Sequence, residues 1–305
     1  FIRNDSWMIG ALIFANIVQA IAFAFSRPAN KAIITELVEK DELVLYNSRL
    51  ELVLQVVSVS SPVLSFLVLQ FASLRITLVL DALSFFLAFG LVALLPKKEE
   101  KTLGEKKLTF KVICADIKEG VHYIVKQKEI FFLLVMASSV NFFFAAFNYL
   151  LPFSNQLYGV QGAYATILTI GAIGSIVGAL LASKIKASME MLLFLLALTG
   201  LGVMIMGFTL PSYLAFSGNF ICELFMTMFN IHFFTQVQTK VEGEYLGRVL
   251  SSIYTLAILF MPIATGLMTW LPSVHLYSFL IIGLGVVALS FLALGYVRTH
   301  FEKET

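Results

Sequence analysis

Two acidic residues in otherwise apolar stretches are the side chains of this chain best suited to chemistry. Glu223 is the single charged residue between positions 191 and 239, and Asp81 is the single one between 76 and 96. A charge at the centre of a bilayer costs at least about 2.5–3.5 kcal/mol, so such residues often handle ions or protons. We therefore interpret Glu223 as the first and Asp81 as the second candidate for proton uptake and release. The alternative for each is a structural hydrogen bond or ion pair.

Polar residues share a helical face with Glu223. At 3.6 residues per turn, Asn219, Met226 and Asn230 fall within about 60° of it. Asn141 and Asn148 are seven residues, or about two helical turns, apart and therefore also share a face. These stripes predict either the lining of a substrate cavity or hydrogen bonds between helices, which amide side chains supply in any membrane bundle.

The composition indicates that lipid surrounds most of the chain. Of its 305 residues 59% are apolar and 13% are charged, whereas soluble domains carry about 25% charged residues. A soluble enzyme and a nucleic-acid-binding protein are therefore excluded. The two cysteines and four histidines show no metal or disulfide spacing, and no phosphate-binding Gly-Lys-Ser/Thr motif occurs. We expect no enzymatic activity, no cofactor and no metal.

Long charge-poor stretches predict nine membrane-spanning helices. A span needs about 20 mainly apolar residues, and the runs lack the apolar–polar alternation of barrel strands. The fold class is therefore an all-α, polytopic membrane helix bundle. The predicted helices lie near 7–26, 50–71, 76–95, 130–152, 161–182, 190–209, 212–235, 249–271 and 276–297.

The basic residues predict the orientation of these spans. Of the 21 lysines and arginines, 19 lie in alternate connections and in the C-terminal tail, while Arg3 and Arg75 lie on the other side. Because basic residues favour the cytoplasmic side, we predict a multi-pass protein of the cell membrane with a cytoplasmic C-terminus. The chain would then start outside, which predicts an odd number of missing upstream spans.

One polar segment divides the chain. Residues 97–129 separate three spans in 1–96, the remainder of an N-terminal half, from a six-helix C-terminal half in 130–305. Apolar residues recur at helical spacing over 110–124, which predicts an amphipathic helix. It would lie along the inner membrane surface or pack on the cytoplasmic ends of the bundle, and the sequence favours neither.

An internal similarity at an offset of 203 residues points to two related halves. Val38-Glu39 matches Val241-Glu242, Leu43 matches Leu246, and Ser48 matches Ser251. Each run follows one span and precedes another. This layout is typical of transporters built from repeats.

Five stretches of the chain share a pattern with a known family. The stretches are Arg27-Pro28-Ala29 through Glu36 to Asn47-Ser48, Leu80 to Phe85, Asp116 to Ile124, Asn141-Phe142-Phe143 with Leu151-Pro152, and Val241 to Val249. Together they resemble the major facilitator superfamily, and within it the macrolide-efflux and siderophore-exporter-like branch. In that order they correspond to the connection after the family's fourth helix, its sixth helix, its central-loop helix, its seventh helix and the connection after its tenth.

The resemblance implies twelve helices in four groups of three, of which this chain matches the last three groups and lacks the first. In the family the first helix of each group lines the cavity. This adds Asn16 and Gln19 of the first span to the candidate cavity residues. Ser61-Pro62 stands where the family's antiporters have Gly-Pro, and Lys184-Ile185-Lys186 resembles a degenerate copy of the family's signature loop. The gating and motif candidates are Pro28, Glu36, Pro62, Lys184, Gly247 and Arg248.

The function implied is secondary active export of a hydrophobic or amphipathic, drug-like or macrolide-like small molecule. Alternating access would be coupled to proton influx. The partners would be the lipid bilayer, the substrate and protons, with no nucleic acid. The alternative is a truncated remnant that transports nothing, or one piece of a split transporter. Such a piece would need a separate N-terminal fragment. An ATP-binding protein is a further possible partner.

Overall fold

The computed structural model describes residues 5–71, 74–94, 110–186, 188–208, 211–271 and 273–300. The regular structure of these ranges is helical, with a short 3-10 turn at Leu151–Phe153, and this confirms the predicted fold class. The helices are α1 (Asp5–Leu37), α2 (Leu43–Phe71), α3 (Leu74–Ala93), α4 (Phe110–Lys126), α5 (Lys128–Leu150), α6 (Ser154–Tyr158), α7 (Ala163–Ala182), α8 (Met189–Met206), α9 (Ser212–Lys240), α10 (Gly243–Leu259), α11 (Met261–Trp270) and α12 (Tyr277–His300).

Six segments of the described residues are long and apolar enough to cross a membrane. They are Lys128–Tyr158, Ala163–Ala182, Met189–Met206, Ser212–Lys240, Gly243–Trp270 and Tyr277–His300. They correspond to the last six predicted spans, and the first three predicted spans are helical in α1, α2 and α3. The protein is therefore a multi-pass membrane protein.

Several predicted helix ends are wrong. The first span was predicted to end at 26, but α1 continues through Pro28 to Leu37, and α2 begins at Leu43 rather than at 50. Similarly, α9 continues to Lys240 rather than ending at 235. Hydropathy marks only the part of a helix that lies in lipid, whereas the polar extensions are held by contacts with neighbouring helices. These extensions lie at the end of the bundle that carries most basic residues, here termed the basic end.

The predicted helix 249–271 is two helices. α10 ends at Leu259 and α11 begins at Met261, with Pro262 in its first turn. Proline has no backbone N–H and therefore cannot donate to the carbonyl of Ile258. The amide of Phe260 donates to that carbonyl instead. The proline thus interrupts the helix about midway along the Gly243–Trp270 segment.

The residues of the predicted amphipathic helix are helical in α4, and residues 97–109 before it lie outside the described structure. α4 packs against α10 and α5. Ile124 is fully buried, and a Cβ added to Gly120 would lie 2.7 Å from the carbonyl oxygen of Arg248. These contacts therefore hold α4 on the basic ends of α5 and α10. This agrees with the interpretation in which the helix packs on the ends of the bundle.

The six C-terminal spans pack through small residues and aromatic rings. α9 lies between α7 and α8, and α12 packs on α8 and α5. A Cβ on Gly202 of α8 would lie 2.7 Å from the carbonyl oxygen of Gly218, so glycine permits this close approach. Contacts of α2 with α7 and α9, and of α1 with α10, join the N-terminal helices to this unit.

Candidate functional site

Glu223 lies in the interface between α9 and α7. The hydroxyl of Ser175 on α7 donates a hydrogen bond of 3.2 Å to its carboxylate. Gly171, one turn before Ser175, faces the same side chain: a Cβ there would lie 3.0 Å from Glu223 Cγ. No lysine or arginine forms an ion pair with Glu223 within the described ranges. The acid is therefore held by a hydroxyl inside the bundle rather than by a cation.

Asn219 lies one turn from Glu223 on the same face of α9. It is 2% exposed, and its Nδ2 donates 2.8 Å to the carbonyl oxygen of Ile167 on α7. Its Oδ1 is buried and has no hydrogen-bond partner among the described residues. Both Asn219 Cγ and Glu223 Cγ lie within 3.3 Å of the position that a Cβ on Gly171 would take. The two side chains therefore meet over one glycine, and the amide nitrogen of Asn219 is the atom nearest to it.

The remaining cavity candidates are dispersed. On α9, Met226 and Asn230 are half-buried. On α5, the half-buried Asn141 donates to the Ala137 carbonyl of its own helix at 2.9 Å, and Asn148 is exposed. Gln19 is exposed on α1. The structure thus joins Asn219 to Glu223 and leaves the other amides apart from this pair.

Three predicted residues have side chains outside the described structure. These are Asn16 in α1, Pro62 in α2 and Asp81 in α3. Their backbones are helical as predicted.

A buried hydrogen-bond network joins α1, α2 and α9 at the basic end. Asn47 of α2 is fully buried; its Nδ2 donates to Gln238 Oε1 at 2.7 Å and to Thr235 Oγ1 at 3.2 Å. Gln238 in turn donates to the carbonyl oxygen of Lys31 at 2.7 Å, and Lys31 Nζ donates to Asn47 Oδ1 at 3.1 Å. We call these four residues the clasp.

The electrostatics of the clasp centre on Lys31. Burial lowers the pKa of this lysine, on the extension of α1 beyond the predicted span, and the charge of Glu51 opposes the shift. Its Nζ also lies 4.9 Å from the centroid of the Phe234 ring, a cation–π contact. Asn47 belongs to one of the stretches that carry the family resemblance, whereas Gln238 and Thr235 are not predicted from the sequence. Gln238 lies beyond the predicted end of its span, and Thr235 is the last residue of that span.

The gating and motif candidates with described side chains differ in their surroundings: one forms an ion pair, one is buried and three are exposed. The candidate Arg248 of α10 pairs with Glu119 of α4 at 3.1 Å. A second ion pair at this end joins Lys240 of α9, which is not one of the candidates, to Glu129 of α5. The remaining candidates are Pro28, which is buried within α1, and Glu36, Lys184 and Gly247, which are exposed at the basic end.

The family model described as Major Facilitator Superfamily matches residues 4–257 of the chain. The chain belongs to this superfamily. Macrolide efflux protein A of Enterococcus faecalis is 26% identical over 273 residues, which cover 84% of this chain and 80% of that protein. Macrolide efflux protein A of Streptococcus pyogenes is 27% identical over 273 residues, which cover 84% of this chain and 64% of that protein.

These relatives confirm the resemblance to the macrolide-efflux branch of the superfamily. No solved structure matches the chain. The superfamily match extends from α1 through α10 and therefore includes the Glu223 site and the clasp.

Proposed function

We propose that this chain exports a hydrophobic or amphipathic small molecule of the macrolide-like class by alternating access, driven by proton influx. The observation that carries the proposal is the Glu223 carboxyl between α7 and α9, without an ion-pair partner in the described structure. Superfamily membership and the two relatives named as macrolide efflux proteins support the substrate class.

Glu223 is the proposed protonation site because its surroundings suit both states of a carboxyl group. The Ser175 hydroxyl donates to the carboxylate, which supports the charged form. A protonated carboxyl needs an acceptor for its own O–H. The side chain of Asn219, whose Oδ1 has no partner among the described residues, packs over the same glycine as Glu223. An intramembrane charge is expensive, which favours the protonated form. Because protonation adds an O–H donor to the carboxyl, it would change the hydrogen bonds that join α9 to α7. Asp81 is the second candidate for proton uptake, and this proposal rests only on its position within a predicted span.

Changes in this interface can reach the rest of the molecule through α2, which packs on both α7 and α9. At the basic end the clasp joins α1 and α2 to α9. Rocking of one set of helices against the other, as in repeat-built transporters, would require the clasp to break and re-form. Asn141, Asn148 and Asn230, with Gln19, remain the proposed hydrogen-bonding groups for substrate.

The test is accumulation of radiolabelled erythromycin in cells that express the chain at matched levels. Expression should lower accumulation, and an uncoupler that collapses the proton gradient should restore it. Glu223→Gln should raise accumulation to the level of cells without the protein, because the amide cannot release a proton. Glu190→Gln, which alters an acid paired with Arg298 at the basic end, is the matched control and should behave as wild type.

Two results would contradict the proposal. Equal accumulation with and without the chain would exclude export of this substrate. Export by Glu223→Gln with unchanged sensitivity to the uncoupler would remove Glu223 from proton coupling.

A further inference from the structure

A cavity of about 410 Å³ lies between α5, α10 and α12. Leu134 and Phe142 of α5, Leu256 of α10 and Leu289 of α12 form its walls. Its volume falls within the range of about 300–1,000 Å³ that small-molecule sites occupy. Neither Glu223 nor any of the candidate cavity amides is among its lining residues. The cavity is therefore distinct from the Glu223 site.

The cavity lies at the break between α10 and α11. Phe260 lines it together with Leu256, and the amide of Phe260 donates to the Ile258 carbonyl. The backbone hydrogen bonding at this end of α10 is therefore irregular. The Ser138 hydroxyl approaches the Leu256 carbonyl at 3.5 Å while donating to the Leu134 carbonyl at 2.9 Å. The Leu256 carbonyl, which has two acceptor sites, thus belongs to a residue that lines an otherwise apolar cavity.

Such a break is costly at membrane depth unless the freed backbone groups are buried in protein or line a cavity. In transporters, interrupted helices commonly form binding sites for this reason. Here the break, caused by Pro262, and the cavity coincide midway along a membrane-spanning segment. Two independent features therefore point to the same place.

We infer that this cavity binds the apolar body of an amphipathic small molecule, whose hydroxyl or protonated amine donates to the Leu256 carbonyl. The inference rests on the proposed export function and adds a site to it. Phe142 and Phe143, in edge-to-face contact with centroids 5.5 Å apart, supply an aromatic wall. An acyl chain of a lipid has no donor for the carbonyl, so the lining favours a small molecule with one.

The molecule would enter from the side of the bundle. Val135 and Leu259, both of which line the cavity, are 44% and 60% exposed. Phe143 stands against Gly285 of α12, where a Cβ would lie 2.8 Å from its ring Cζ. The position of this aromatic wall therefore depends on the absence of a side chain at 285.

The test measures binding of radiolabelled propranolol to the purified chain in lipid nanodiscs. This probe has a naphthalene body and a protonated amine. Wild type should bind it saturably. Leu256→Trp, which fills the cavity, should weaken binding by at least about tenfold, and Leu292→Trp should leave it within about twofold. Leu292 is 75% exposed on α12, outside the cavity.

Ser139→Trp is a second filling variant, because Ser139 is a half-buried lining residue that tolerates enlargement better than Leu256. It should give the same loss. Tetraphenylphosphonium, an aromatic cation without a hydrogen-bond donor, should bind wild type about tenfold more weakly than propranolol, since it cannot reach the carbonyl as a donor.

Three results would overturn the inference. The first is that wild type shows no saturable propranolol binding. The second is that wild type and both filling variants bind propranolol equally well. The third is that native mass spectrometry finds a phospholipid co-purified with wild type and absent from the filling variants. Failure of wild type to export erythromycin would contradict the proposed function instead. It would leave the binding result standing.

Discussion

Buried amide side chains make the most specific contacts between helices in this molecule. Asn219 joins α9 to α7, and Asn47 with Gln238 joins α2 to α9. In a low-dielectric interior such bonds are strong, and a buried polar group that loses its partner is costly. A protein surrounded by lipid cannot rely on burial of apolar side chains to align its helices. These amides therefore determine which helix faces which.

We predict that Asn47→Ala destabilises the protein by about 1–3 kcal/mol. Asn47 is fully buried, and its loss leaves Gln238 Oε1 and the Lys31 ammonium without their shared partner. The measurement is thermal unfolding of the purified protein in detergent, where a lower midpoint is expected. Erythromycin export should fall as well, because the clasp closes the basic end in the proposed mechanism.

Asn30→Ala is the matched control for Asn47→Ala. Asn30 lies on the same α1 extension as Lys31 but is exposed, so its truncation should leave the unfolding midpoint unchanged. If both variants unfold at the wild-type temperature, the clasp does not contribute to stability.

The sequence predicted the polar residues of α9 but not their partners. Glu223 and Asn219 were recognised because an acid and an amide interrupt an apolar run. Helical periodicity shows that they share a face, yet it does not say which neighbour that face meets. That neighbour is α7, where Gly171 leaves room for both side chains. Of the clasp residues on α9, Gln238 lies in the helical extension beyond the predicted end at 235, and Thr235 is the last residue of the predicted span.

Close contact between α7 and α9 depends on glycine in α7. Gly174 lies against the carbonyl of Phe220, and Gly178 against that of Leu224. Backbone atoms cannot move aside as a flexible side chain can. The same interface holds Glu223 and Ser175, so the spacing of these helices also sets the geometry of the candidate proton site.

We predict that Gly174→Val destabilises the bundle by at least about 1–3 kcal/mol, the usual cost of overpacking. The added side chain would collide with the Phe220 backbone and force α7 away from α9. The expected observation is a reduced yield of monodisperse protein by fluorescence-detected size-exclusion chromatography. Gly295→Val on α12, where an added Cβ meets nothing within 4 Å, should elute as wild type does; equal behaviour of both variants would contradict the argument.

Whole helices were more predictable than their ends. An apolar stretch of about 20 residues identifies a span because lipid imposes that length, and each of the nine predicted spans is helical over most of its described residues. The extensions of α1, α2 and α9 carry polar residues that satisfy no hydropathy criterion. The break at Phe260 had a signal in Pro262, but proline also occurs within the continuous helix α1 at Pro28. Only the packing distinguishes the two prolines.

At the scale of the whole molecule, the N-terminal helices and the six C-terminal spans meet along α2 and α1. Among the described residues, the hydrogen bonds between these two parts lie at the basic end. There Lys40 adds to the clasp, because its Nζ donates to the Thr239 carbonyl at 3.4 Å. Closure at that end is consistent with a molecule that opens toward the opposite side. The prediction that the basic end faces the cytoplasm therefore matters for the direction of transport.

The two cysteines allow this orientation to be tested in the natural sequence. Cys114 is exposed on α4, and Cys222 is buried in α9. If the basic end is cytoplasmic, a membrane-impermeant maleimide should label Cys114 only after the cells are permeabilised, and Cys222 should stay unlabelled throughout. Gln161→Cys in a Cys114→Ser background should react in intact cells, because residue 161 is exposed in the connection between α6 and α7 at the other end. Labelling of Cys114 in intact cells, as fast as that of Gln161→Cys, would invert the topology and with it the proposed direction of proton flow.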